Sequence, residues 1–151
     1  MQAEPQEQHH QQQQPAYTNG EDDPTENQFE KLLEDAIDHI DGLMLVRITD
    51  ADRENVFRAA TPVFHEPYFE DSLIEKCYDA FDDINKLHIG ASQVLTLIYS
   101  EMQLVQFRVG LYYGTIVCDM CANMGMVHSL VARIRACLKV LSDMTKDMHE
   151  E

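Results

Sequence analysis

The feature that most limits what this chain can fold into is a run of three short apolar segments near its C-terminal end. Val94–Tyr99, Gln103–Val109 and Leu111–Asp119 are rich in β-branched and aromatic residues, and only Ser100-Glu101-Met102 and Gly110 separate them. Links that short can join only antiparallel neighbours, because a parallel crossover needs about a dozen residues or more. The segments are apolar at nearly every position rather than at alternate ones. A sheet with one wet face alternates, so these strands require cover on both faces.

The cover is legible on either side of them. Phe29, Leu32, Leu33, Ala36, Ile37 and Ile40 recur at helical spacing, with Glu30, Lys31, Glu34, Asp35 and Asp38 opposite. Thr25 and Gln28 fit a capping box before this helix, and Gly42 stands where its C-terminus wants a left-handed residue. A second helix is predicted from about Phe69 to Lys86. Phe69, Leu73, Ile74, Cys77, Tyr78, Phe81 and Ile84 share one face, and Glu70, Asp71, Glu75, Asp79, Asp82 and Asp83 make the other acidic. A third helix is traced by Met126, Val127, Leu130, Val131, Ile134, Cys137, Leu138, Leu141 and Met144, with Asn123 as its N-cap and Arg133, Arg135, Lys139 and Lys146 outside.

Between the first two helices, Leu43–Ile48 and Val56–Ala60 read as hairpin strands joined by the polar link Thr49–Asn55, after which Pro62 and Pro67 break regular structure. The order is helix, two strands, helix, three strands, helix. It predicts an α/β (α+β) domain with one five-stranded, mostly antiparallel sheet between helices on both faces. Val94–Tyr99 has two readings within that sheet. Either it lies at the centre, or its long apolar edge, free of Lys and Pro, recruits a strand from another chain.

Residues 1–26 differ from the rest. They hold the run His9-His10-Gln11-Gln12-Gln13-Gln14, the prolines Pro5, Pro15 and Pro24, and few apolar side chains. A segment like that buries too little apolar surface to offset its ordering entropy, so a disordered tail is expected before a folded domain over 27–149. About two-thirds of such a domain's unfolded surface is buried on folding, enough for an independent core. The tail carries six of the acidic residues and no Lys or Arg, so the net charge of −16 less −6 leaves −10 on the domain. Charge of that sign gives no grip on phosphate backbones or anionic lipid, so neither nucleic acid nor direct membrane insertion is expected. No apolar run reaches the ~18 residues of a span, and the N-terminus has neither a basic-then-apolar leader nor a lipidation box.

Catalytic and metal motifs are thin. Cys118-Asp-Met-Cys121 sits between a strand end and a helix start, the place where thioredoxin-like thiols are activated. It lacks the small or prolyl spacers of such centres and reads better as two small apolar residues at a packed junction. A zinc site would need further ligands from Cys77, His128 or Cys137, and Cys137 falls on the third helix's apolar stripe. Asp50-Ala-Asp52 with Glu54 begins like a calcium loop, but Asn55 replaces the required glycine and Thr61 stands at the twelfth position. No glycine-rich phosphate cradle exists, and neither His39 nor His88 has a nucleophile placed beside it. The expectation is therefore no enzyme, no cofactor and no metal. The rival of another class is a cytosolic Cys-x-x-Cys thiol–disulfide oxidoreductase; a small-molecule sensor is a third possibility.

Lys86-Leu87, Val105-Gln106-Phe107, Ala122-Asn123-Met124-Gly125 and Ser129-Leu130, taken with the element order, resemble the roadblock fold of the longin superfamily. The particular resemblance is to the Ragulator-type scaffold subunits that partner the kinase MEK, and it spans most of residues 28–147. It implies a non-catalytic adaptor that heterodimerises with a second roadblock subunit through the middle helix and the first strand of the meander. In this chain the candidate contacts are Leu73, Cys77 and Phe81 on the helix and Val94, Leu95, Thr96, Leu97, Ile98 and Tyr99 on the strand. It further implies the other Ragulator subunits, Rag-type GTPases in TOR signalling and kinases of the MAP-kinase pathway as partners. The location it implies is the cytoplasmic face of late endosomes or lysosomes, reached through partner subunits. The nearest rival within the superfamily is a roadblock-type dynein light chain. The chain departs from the pattern twice: the first hairpin lacks the family's tight Asp-Gly turn, and the acidic Gln-rich tail is extra.

Overall fold

The computed structural model describes residues 24–62, 67–87 and 94–149. His9, His10 and His88 lie outside the described residues, as does nearly all of the tail. The elements are α1 (Pro24–His39), β1 (Leu43–Thr49), β2 (Asn55–Ala60), α2 (Pro67–Asn85), β3 (Val94–Ile98), β4 (Met102–Val109), β5 (Tyr112–Asp119) and α3 (Met124–His149). They form one five-stranded sheet in the order β2-β1-β5-β4-β3, with every neighbouring pair antiparallel.

Helices cover both faces, and that explains the unbroken apolar run. Ile116 and Cys118 of β5 point into the layer under α1 and α3, where Phe29, Leu33, Val127, Leu130, Ile134 and Leu138 meet them. Val117, between them, points the other way, into a smaller cluster with Leu45, Leu104, Ile74, Cys77 and Tyr78 beneath α2. Each large side chain fully buried in either layer contributes about 1.5–3 kcal/mol.

Local chemistry fixes the ends of the elements. Helix α1 takes in Thr25, expected as its cap, because Pro24 suits a first turn with its fixed φ and no N–H to satisfy. Gly42 has φ 85° and is followed by β1; a Cβ there would run into the side chains of Asp119 and Ala122. Asn123 caps α3 as the spacing predicts, its Oδ1 accepting from the Met126 N–H at 3.2 Å. Gly114 of β5 lies beneath the Phe107 ring, which leaves no room for a Cβ.

The first hairpin turns without glycine. Arg53 adopts φ 65°, and the Asp50 carboxylate accepts from the N–H groups of Asp52 and Glu54 at 2.9 and 3.0 Å. The Asp50 oxygen is thus engaged by its own loop, in the manner of an Asx turn. No cluster of three or more metal-ligating side chains occurs among the described residues.

Candidate interaction site

Strand β3 is an edge. Its residues pair with β4 alone, from Val94 opposite Phe107 to Ile98 opposite Gln103, and nothing among the described residues lies on its other side. Of the two readings of Val94–Tyr99, the chain therefore adopts the edge one. The strand has no charged residue and no proline; Val94 and Tyr99 are exposed, and Ile98 is 68% exposed. Leu97 turns inward to the cluster beneath α2, while Leu95 and Thr96 are half-buried.

Helix α2 lies over the face of the sheet to which Leu97 turns, and it has three distinct sides. Ile74, Cys77, Tyr78 and Phe81 face the sheet and are buried. The placement corrects the expectation for Cys77 and Phe81: they pack the helix down and reach no surface, because a helix seated on a sheet turns its deepest stripe inward. The side chain of Phe69 lies outside the described ones. A second side carries Leu73, Ala80, Ile84 and Leu87, at intervals of seven, four and three residues. Leu73 packs against the same cluster as Leu97 of β3, together with Met44 and Ala60 of the hairpin strands; Leu87, beyond the helix end, is 62% exposed.

The third side points to the β1–β2 hairpin and is held by charge. Glu70 is buried at 5% exposure; it accepts from Arg47 at 3.2 Å and, through both oxygens, from Arg58 at 3.0 Å. Arg47 and Arg58 are cross-strand neighbours, so the carboxylate separates two like charges that would otherwise repel. Its proximity raises the Arg58 pKa further, so that guanidinium stays charged. Asp71 adds a contact to Arg47 at 2.8 Å. On the sheet side, the Gln106 amide, oriented to suit its neighbours, donates to the Cys77 carbonyl and accepts from the Tyr78 N–H at 3.2 Å. Sequence reasoning missed this clamp. Its one signal was an arginine at the middle of each hairpin strand.

The thiols are arranged against redox chemistry. Cys118 is fully buried, its Sγ donating toward the Gln103 carbonyl at 3.6 Å and lying 3.9 Å from the Met124 sulfur. Burial, with help from Asp119, pushes its pKa up to about 11, whereas an attacking thiol needs it lowered. Cys77 is likewise pushed up to about 11 by burial, in the layer on the opposite face of the sheet. Cys121 is exposed. Cys77 therefore cannot join Cys118 at one metal. His39 is engaged locally, 2.7 Å from the Asp35 carbonyl.

The family model described as "Mitogen-activated protein kinase kinase 1 interacting" matches residues 27–147. No curated protein matches the chain. Solved structures with the same fold include a roadblock/LC7 domain from Streptomyces avermitilis, at 8% identity and a TM-score of 0.63 over 74% of this chain and 95% of that one. Myxococcus xanthus MglB is similar at 13% identity and a TM-score of 0.64, over 78% and 96%. The gliding protein MglB from Thermus thermophilus is similar at 16% and 0.65, over 80% and 93%. At these identities the likeness establishes the roadblock fold and nothing finer.

Proposed function

The chain belongs to the mitogen-activated protein kinase kinase 1 interacting family, and on that premise we propose that it is a non-catalytic scaffold subunit that pairs with a second roadblock subunit. The observation that carries this reading is the β3 edge, apolar, uncharged and without a second neighbouring strand among the described residues. Such an edge is a template for strand addition, and proteins that do not use one blunt it with charge, proline or a covering element. A sister strand antiparallel to Val94–Ile98 would satisfy the outward backbone groups, and its helix would cover Leu73, Ile84 and Leu87.

The mechanism is geometric. Two sheets joined edge to edge make a rigid platform whose composite faces hold other proteins at fixed distances. The paired unit belongs to a Ragulator-type assembly on the cytoplasmic face of late endosomes or lysosomes, where it docks Rag-type GTPases for TOR signalling and supports kinases of the MAP-kinase pathway. The resemblance in the motifs from Lys86 to Leu130 and the kinase named in the family's description support this assignment.

Co-expression with a panel of roadblock subunits, followed by size-exclusion chromatography with light scattering, tests the pairing. A one-to-one complex and a poorly soluble lone chain are expected. A soluble monomer that ignores every such subunit would refute it. Proximity labelling in cells tests the location, with lysosomal membrane proteins as the expected neighbours.

A further inference from the structure

The flank of α2 that faces the hairpin carries a second constellation, which pairing through β3 does not use. Asp71, Glu75, Asp79 and Asp82 follow at intervals of four, four and three residues, so they line one edge of the helix. Asp71 and Asp79 touch Arg47 and Arg53, yet their side chains remain 68% and 67% exposed. Carboxylates outnumber cations there, and Arg47 is already shared with Glu70.

Beneath the carboxylates is a cavity of about 290 Å³, lined by Arg47, Arg53, Asp71, Ile74, Glu75 and Tyr78. Tyr78 is 1% exposed, and its hydroxyl has no hydrogen-bond partner. The Arg47 Nε and the Thr49 Oγ1 are buried without partners as well, and these three are the orphaned side-chain atoms among the described residues. They lie on one face of the sheet. Arg47 and Thr49 alternate on the α2 side of β1; Thr49 pairs with Tyr113, whose ring meets that of Tyr78 edge-on at 4.6 Å. Buried polar groups without partners are rare, and here each can donate. The missing counterpart is an acceptor oxygen. A free oxyanion fits poorly, since Asp71 and Glu75 share the rim.

We propose that this flank and its cavity bind a basic peptide segment of a partner protein. Lysine or arginine side chains of the segment pair with Asp71, Glu75 and Asp79, and one of its main-chain carbonyl oxygens accepts from the Tyr78 hydroxyl and the Arg47 Nε. The surface is built against the β1–β2 hairpin, and none of its residues belongs to the candidate pairing surface at β3, so the proposal does not depend on that pairing.

The test is fluorescence anisotropy with the full chain and a labelled peptide of alternating lysine and serine. Neutralising the flank (D71N/E75Q/D79N) is expected to weaken binding at least ~10-fold. The control E30Q/E34Q/D38N removes the same charge from exposed positions of α1 and is expected to change it less than ~2-fold, because separated surface charges are screened. Tyr78→Phe is expected to weaken binding ~3-fold with an unchanged or higher melting temperature, since the hydroxyl has no partner to lose. Arg47→Lys, which keeps the charge but removes Nε, is expected to weaken binding as well. Equal losses in the two neutralised variants would reduce the effect to overall acidity and overturn the proposal. So would a Tyr78→Phe chain that binds as tightly as the original, or inorganic phosphate displacing the peptide from the cavity.

Discussion

The two edges of this sheet are treated in opposite ways. At β2, Arg58 sits mid-strand and is locked with Arg47 onto the buried Glu70, and the pairing with β1 is disturbed by a register shift between Ile48 and Thr49. Helix α1 closes over the same strand, with Phe29 edge-on to Phe57 at 4.6 Å. At β3 there is no charge, no bulge and no covering element among the described residues, while Val94 and Ile98 stand in the open. Charge, irregularity and cover are the devices that keep an edge from joining another. One edge has all three, the other none. The contrast teaches that the bareness of β3 is a property of that position and not of the fold's economy. Helix α2 meets the closed edge through charge, with Glu70 on Arg47 and Arg58.

The largest expected effect follows from removing that difference. Placing lysines at Val94 and Ile98, both exposed in the lone chain, should raise the dissociation constant for a roadblock partner at least ~100-fold while leaving the circular dichroism spectrum intact. Val56→Lys, the matching change at an exposed position of β2, should alter affinity less than ~2-fold. Isothermal titration of both variants decides the matter, and equal losses would erase the distinction between the edges.

Next comes the clamp. Glu70→Ala removes the carboxylate between Arg47 and Arg58 and leaves Arg47, mostly buried, with Asp71 alone. The cost should be about 2–3 kcal/mol in urea unfolding, below that of a wholly buried pair because Arg58 is partly solvated. Partner affinity should stay as it was. A variant as stable as the parent would show that cover and bulge blunt β2 without the charges.

The legibility of these features in the sequence followed the same division. Helices were readable where a period near 3.6 ran unbroken, as in Phe29–Ile40, and the meander strands as continuous apolar runs cut by short turns, as in Val94–Asp119. The element order was thereby legible, but whether Val94–Tyr99 lay at the centre or at the edge was not, because a continuous apolar run suits either place. The clamp was not readable, because Glu70 falls in line with an acidic face and only the folded hairpin brings Arg58 to it. Cys77 and Phe81 were assigned to the contact surface because an apolar stripe does not say which part of it a helix's own sheet will claim. Leu87 could have been found: it continues the spacing of Leu73, Ala80 and Ile84 beyond the helix end. The left-handed turn at Arg53 left no trace, since neither Gly nor Asn marks the position.

Alkaline pH probes the two layers separately. Burial raises Cys77 and Cys118 from 9.0 to about 11. A thiol whose folded pKa is raised stabilises the fold below about pH 9, and that stability is lost as pH climbs toward 11 while the unfolded chain ionises first. By pH 9.5 each should cost roughly 1 kcal/mol. The layer under α2 is the smaller and borders the open edge, so maleimide should reach Cys77 before Cys118 in the lone chain, both well after Cys121. Pairing at β3 should slow Cys77 selectively. Labelling of Cys118 first would place the weaker layer on the wrong side.

The smallest effect expected is at Arg53, where two terms nearly cancel. A non-glycine residue at φ 65° stores on the order of 1 kcal/mol of backbone strain, and glycine would release it. Against that, the Arg53 guanidinium lies 4.9 Å from the centre of the Tyr78 ring and 3.8 Å from Asp79, contacts worth about 1 kcal/mol together at a half-exposed site. Arg53→Gly should thus unfold within about 0.5 kcal/mol of the parent in low salt. The sign, however, should depend on ionic strength. Salt screens the carboxylate contact and leaves the strain untouched, so the variant should gain on the parent as salt rises. A difference that ignores salt would mean the hairpin is held by its Asp50 turn alone. The cation then contributes nothing to the closed edge.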